Sequence, residues 1–136
     1  WGEVERGGSA IMGVGEKPRE RQAKKAHHGL GMRVDGGTAG RTAEEVAKVG
    51  MAYEPCWAIG TGVVATPEIA ADAHRFIREQ VRKAFGAPAA AACRILYGGS
   101  VTPDNIRGLM AQPEIDGPLV GGASLDPVSF ASIVNF

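Results

Sequence analysis

The sequence predicts an α/β chain in which parallel strands alternate with helices, and two observations predict it. Short apolar runs of the kind that form buried strands recur at residues 10–14, 49–53, 94–97 and 119–120. Between them lie segments that open on helix-capping residues, most clearly Thr66-Pro67-Glu68, with apolar positions at helical spacing behind the cap. Strands that alternate with helices pair in parallel through right-handed crossovers.

In chain order, residues 1–9 are polar and glycine-rich without a period and read as a tail: a tag, a linker or the end of a helix. Ala10-Ile11-Met12-Gly13-Val14 reads as a buried strand. Gly15-Glu16-Lys17 follows as a turn, and Arg19-Glu20-Arg21-Gln22-Ala23 starts a helix. Residues 24–43 contain Gly29, Gly31, Gly36, Gly37 and Gly40. A glycine inside a helix costs about 1 kcal/mol relative to alanine. This window is therefore expected to lack a continuous helix and to form a divergent or disordered connection. Its Gly29-Leu30-Gly31 is an incomplete dinucleotide fingerprint with no strand before it. The adjacent His27 and His28 do not face one metal together.

Thr42-Ala43-Glu44-Glu45 is a capped helix start, and the run Val49 to Tyr53 is the next strand. Thr66-Pro67 opens a helix whose Ile69, Ala73, Phe76, Ile77, Val81 and Phe85 share one buried face. Ala87 to Ala92 reads as a linker, and Arg94 to Tyr97 as a strand. Thr102-Pro103-Asp104 is expected to start a helix through Leu109 and Met110, and Leu119 and Val120 to lie in the last strand. Asp126-Pro127 starts the final helix, with Phe130, Ile133 and Val134 apolar.

Composition removes several function classes. Lys+Arg and Asp+Glu both number 15, so the net charge of zero favours neither nucleic acid nor an anionic membrane as a partner. No apolar run approaches the roughly 20 residues of a membrane helix. Glu3, Glu5 and Arg6 interrupt the start where the apolar region of a signal peptide would lie. Cys56 and Cys93 show no metal or redox spacing and read as free thiols of a reducing, cytoplasmic compartment.

The chemistry concentrates in Ala52-Tyr53-Glu54-Pro55-Cys56-Trp57-Ala58-Ile59-Gly60-Thr61-Gly62. Glu54 ends a strand, and Pro55 stops further pairing because it has no N–H. A bulky ring and two closing glycines then give a stiff tip between flexible ends, the make-up of a loop that shuts over a base. A surface glutamate beside an ordinary glycine-rich turn has the same bare pattern.

Two further motifs accompany it, Arg94-Ile95-Leu96-Tyr97-Gly98-Gly99-Ser100-Val101 and Asp116-Gly117-Pro118-Leu119-Val120-Gly121-Gly122-Ala123-Ser124-Leu125. In order and spacing the three motifs resemble the triosephosphate isomerase family across residues 48–136. The resemblance implies an α/β fold that is part of a TIM (β/α)8 barrel, strands five to eight. A complete barrel takes about 250 residues. The family's first four strands have no counterpart in this sequence. The resemblance also implies interconversion of dihydroxyacetone phosphate and glyceraldehyde 3-phosphate through an enediolate, with no cofactor and no metal. Glu54 is then the base, and Gly60, Ser100, Gly121 and Gly122 hold the substrate phosphate. Trp57, Ile59, Thr61 and Gly62 form the lid; Glu16 touches Trp57 when the lid is open, and Tyr97 and Ser100 hold it closed. Arg78 matches a family arginine that pairs with an acid near strand eight, here Glu114.

The departures carry expectations of their own. Gly13 stands where the family usually has cysteine, which should loosen packing at that strand's end. Val63 replaces the usual polar residue at the lid's second hinge. The family's lysine and electrophilic histidine come from its first and fourth strands, and its homodimer contacts come mostly from that half. The 136 residues by themselves are therefore expected to be inactive. The alternatives in function are a phosphate-binding half-barrel without catalysis and a non-functional truncated product.

Overall fold

The computed structural model describes residues 1–59, 61 and 63–136. A short helix, α1 (Gly2–Glu5), precedes strand β1 (Ile11–Val14). Then come α2 (Pro18–Gln22), α3 (Ala26–Thr38), α4 (Ala43–Ala47) and β2 (Gly50–Tyr53). Helices α5 (Pro67–Phe85) and α6 (Ala87–Ala92) lead to β3 (Ile95–Tyr97), and α7 (Ile106–Met110) leads to β4 (Gly117–Pro118). A 3-10 turn at Gly122–Leu125 and α8 (Pro127–Val134) follow.

The strands form one sheet in the order β1-β2-β3-β4. All three pairings are parallel, in registers that include Met12↔Met51, Ala52↔Leu96 and Tyr97↔Pro118. Met51, Ala52 and Tyr53 are successive and all fully buried. Both faces of β2 are covered, as expected for a parallel strand flanked by helices. Pairing at the last strand starts earlier than the apolar pair Leu119-Val120 suggests. The Asp116 N–H donates to the Ile95 carbonyl at 3.1 Å and the Leu119 N–H to that of Tyr97 at 2.8 Å.

Helix α5 is the main support of the sheet. Thr66 caps it by accepting from the Ile69 N–H, Pro67 occupies its first turn, and Gly86 ends it at φ 89°, a conformation that favours glycine. Its buried Ile77 and Val81 each contribute about 1.5–3 kcal/mol on leaving water. Arg78 on the same helix makes the ion pair with Glu114 expected from the sequence and a second, shorter one with Asp116. Its Nη2 donates to Asp116 at 2.6 Å, whereas its Nε stands 3.8 Å from Glu114. Asp116 wins because the same carboxylate oxygen also accepts the Ile95 N–H at 2.7 Å, which fixes it against β3.

Three stretches differ from expectation. Residues 26–38 form a continuous helix despite their glycines. Close packing offsets the poor propensity. A Cβ at Gly37 would collide with the Met12 sulfur of β1, and one at Gly29 would press on the Glu20 carboxylate. The Ala87–Ala92 stretch is a helix and not a linker, with Ala89 and Ala90 buried. Alanine is the best helix former, and Pro88 sits where a first turn tolerates it. Thr102-Pro103 opens a turn, and α7 begins only at Ile106. At the N-terminus the Trp1 indole N–H donates to the Gly37 carbonyl at 2.8 Å, pinning the first residue to α3.

Strands β1 and β4 each pair on one side only, so the sheet has two open edges. Ile11, Leu125, Val128, Phe130, Val134 and Phe136 are exposed at these ends of the molecule's chain order. No helix among the described residues is long and apolar enough to cross a membrane.

Candidate active site at the strand ends

Glu54 is delivered to the carboxyl end of the sheet by β2. Its N–H donates to the Val14 carbonyl at 2.7 Å, which holds its backbone against β1. The side chain is enclosed by glycines on the neighbouring strands. A Cβ at Gly13 would stand 3.1 Å from Glu54 Oε2, and one at Gly98 only 2.7 Å from Cγ. A Cβ at Gly15 would collide with the Glu54 carbonyl oxygen. The room left at residue 13 is thus occupied by the glutamate's own carboxylate, a consequence the sequence reading of Gly13 did not foresee.

Glu54 opens onto a cleft of about 500 Å³ that is also lined by Ile59, Ser100, Leu119, Gly121 and Gly122. The turn bearing Ser100 is held by Asn105, which accepts the Thr102 N–H at 2.8 Å and donates to the Ser100 carbonyl at 2.9 Å. A Cβ at Gly121 or Gly122 would meet nothing within 4 Å. Their lack of side chains leaves backbone open to the cleft, the feature that lets N–H groups approach an anion closely.

The segment after Glu54 is anchored at its start. The Trp57 indole N–H donates to Glu16 Oε1 at 2.7 Å, and the Tyr53 hydroxyl donates to the same oxygen at 3.0 Å. Glu16 is fully buried. Burial, and then the charge of Glu16, hold the Tyr53 hydroxyl's pKa well above its usual range. Ile59 is 48% exposed at the tip. The Thr61 hydroxyl donates to the Trp57 carbonyl at 2.9 Å and accepts from the Val63 N–H at 3.2 Å. Gly60 and Gly62, expected respectively in phosphate binding and the lid, lie outside the described residues. The Tyr97 hydroxyl is buried and has no hydrogen-bond partner among the described residues.

Sequence reasoning missed Asn105 and the glycines' enclosure of Glu54. Asn105 was legible as the fourth residue of Thr102-Pro103-Asp104-Asn105, a turn whose asparagine bonds its own backbone. The enclosure acts across strands and has no local signal. Among the described residues no cluster of three His, Cys, Asp or Glu side chains could hold a metal.

Four sequential parallel strands backed by helices are the arrangement of part of a (β/α)8 barrel, and Glu54 and the open glycine turns lie at the carboxyl ends of those strands. The family model described as Triosephosphate isomerase matches residues 4–136. The chain belongs to the triosephosphate isomerase family, whose members are isomerases. It is 60% identical over 133 residues to the triosephosphate isomerase of Solibacter usitatus (strain Ellin6076), covering 98% of this chain and 53% of that protein. With the Geobacter metallireducens (strain ATCC 53774 / DSM 7210 / GS-15) enzyme it shares 51% over 128 residues, 94% of this chain and 51% of that one. The enzyme of Pelobacter propionicus (strain DSM 2379 / NBRC 103807 / OttBd1) is 50% identical over 128 residues, 94% and 51% respectively. The chain spans about half the length of the curated relatives it matches.

Proposed function

We propose that Glu54 is the base of a triose phosphate isomerase reaction carried out in a complete barrel. It removes a proton from the carbon beside the carbonyl of dihydroxyacetone phosphate and returns it to the neighbouring carbon of the enediolate, giving glyceraldehyde 3-phosphate. The observation that carries this reading is the single cleft shared by Glu54 with Ser100, Gly121 and Gly122. A carboxylate and two glycine turns that line one cleft support a base and a phosphate site acting on one small substrate. Backbone N–H groups at these turns, with Gly60 from the lid, hold the phosphate without a metal or cofactor.

In this reading residues 57–62 are the lid. Trp57 bonded to Glu16 is its raised position, and Tyr97 and Ser100 receive it when it closes. A closing lid excludes water, which strengthens a carboxylate as a base. Ile59 and Leu119 supply the apolar wall. The charge developing on the enediolate needs donors that the family draws from its first and fourth strands. A homodimeric, cytoplasmic enzyme is the setting that the family and the two free thiols support.

The test joins this chain to a matching N-terminal half and compares Glu54→Asp with the parent in a coupled assay. Withdrawing the base by one methylene should lower kcat about a hundredfold while ligand affinity changes little, because small misplacements of a base are that costly. Equal kcat would remove Glu54 from the role. The 136 residues alone should turn over at the buffer rate, since losing even one donor to the developing oxyanion costs about 10²–10³ in kcat. Turnover above buffer that vanishes in Glu54→Gln would show that these residues supply their own electrophile.

A further inference from the structure

Arg21 has no part in the roles assigned so far, yet it touches the residue that anchors the lid. It lies on α2, five residues after Glu16. Its Cζ stands 4.3 Å above the Trp57 ring, inside the range of a cation–π contact. Its Nη1 reaches Glu16 Oε1 at 3.4 Å, the same oxygen that accepts the Trp57 indole N–H. The ring is therefore held at two places by one ion pair: its N–H by the carboxylate, its face by the guanidinium.

Burial makes the arrangement directional. The Glu16 side chain is 1% exposed and that of Arg21 34% exposed, so the carboxylate is fixed and the guanidinium roofs the indole from the solvent side. Any displacement of the Trp57 ring away from Glu16 and Arg21 gives up both contacts. Cysteine 56, next to it, donates its backbone N–H to the Glu16 carbonyl at 3.3 Å, so the hinge itself is tied to the same turn.

The geometry points to Arg21 as a positioning residue that clamps Trp57 and holds the lid raised, opposing closure over a phosphate ligand. This inference rests on the lid and phosphate reading above. It has an unusual sign. Removing a merely structural side chain weakens ligand binding, whereas removing a clamp on the unliganded state strengthens it.

The experiment uses the full 136-residue chain in a Trp1→Phe background, which leaves Trp57 as the sole indole. Acrylamide quenching of its fluorescence is measured without ligand, and glycerol 3-phosphate affinity by ³¹P NMR titration. Arg21→Ala should raise the quenching of Trp57 and tighten glycerol 3-phosphate roughly two- to fivefold, the size that an exposed cation–π contact carries. Arg21→Lys, which keeps a cation but not a planar group, should restore part of both. Arg21→Gln serves if the alanine variant does not fold. Unchanged quenching overturns the clamp, as does an affinity that stays the same or falls. If the parent itself binds no glycerol 3-phosphate, the 136 residues form no phosphate site without the rest of the barrel, and quenching alone then decides the role of Arg21.

Discussion

The side chain of Glu54 lies against Gly98 so closely that a Cβ on residue 98 would stand 2.7 Å from Glu54 Cγ. Real Cβ atoms do not approach that near, so a side chain at 98 must displace the glutamate. Gly98 is not a glycine of positive φ. It is there for proximity, and the residue it makes room for is the proposed base.

Gly98→Ala should therefore act on chemistry more than on folding. In a complete enzyme kcat should fall about a hundredfold with the ligand dissociation constant little changed, by the same misplacement argument as for the base itself. Gly13→Ala, whose Cβ would stand 3.1 Å from Oε2, should do less because a terminal oxygen can give way more easily. Steady-state kinetics on both variants check the order, and a larger kcat loss at 13 than at 98 would contradict it.

Acid stability should depend on His74. It is fully buried, its Nδ1 lies 3.3 Å from the Glu114 carbonyl, and burial brings its pKa down to about 4. An unfolded histidine has the ordinary value near 6.5, so between about 6.5 and 4 the unfolded chain binds more protons. Stability is then fully present above about pH 6.5 and falls as pH drops toward 4, by on the order of 3 kcal/mol. Urea melts at pH 7.5, 6, 5 and 4 should show this slope. In His74→Gln the slope between pH 6.5 and 5 should disappear, and an unchanged slope would place its origin elsewhere.

Within α3, neighbouring glycines should respond in opposite directions. A Cβ at Gly36 meets nothing within 4 Å, so Gly36→Ala should stabilise by about 0.5–1 kcal/mol through helix propensity. At Gly37 the added methyl would collide with the Met12 sulfur. Gly37→Ala should destabilise by about 1–3 kcal/mol, the usual cost of overpacking. Equal gains in denaturant midpoint would mean that α3 is not packed on β1 as described.

Arg78 should be worth more to the fold than its other acidic neighbour suggests. Its guanidinium links Asp116 to the Ala90 and Cys93 carbonyls at 2.8 and 3.1 Å, joining α5, the end of α6 and the approach to β4. Asp116→Ala should cost about 1–3 kcal/mol by removing the carboxylate oxygen that both the guanidinium and the Ile95 N–H use. Glu114→Gln should fall within about 1 kcal/mol, as weak, partly exposed pairs do. Equal losses in urea denaturation would restore Glu114 as the principal partner.

Much of the molecule can be read from residues near one another in sequence. The apolar runs announce the four parallel strands, and Thr42, Thr66 and Asp126 announce three helix starts because a cap acts within its own first turn. Glu54 and the glycine turns are recognisable for the same reason: their identity and spacing lie in continuous motifs. Tertiary packing decided the rest. Glycines in α3 look like helix breakers until β1 is placed against them, because only then does the absent Cβ become close contact. Arg78 has acids at both 114 and 116, and its choice depends on which one the Ile95 N–H already holds. Arg21 meets Trp57 only because the turn at Glu16 brings α2 beside the end of β2. Contacts of this kind are made by side chains that are distant in sequence, and local propensity carries no information about them.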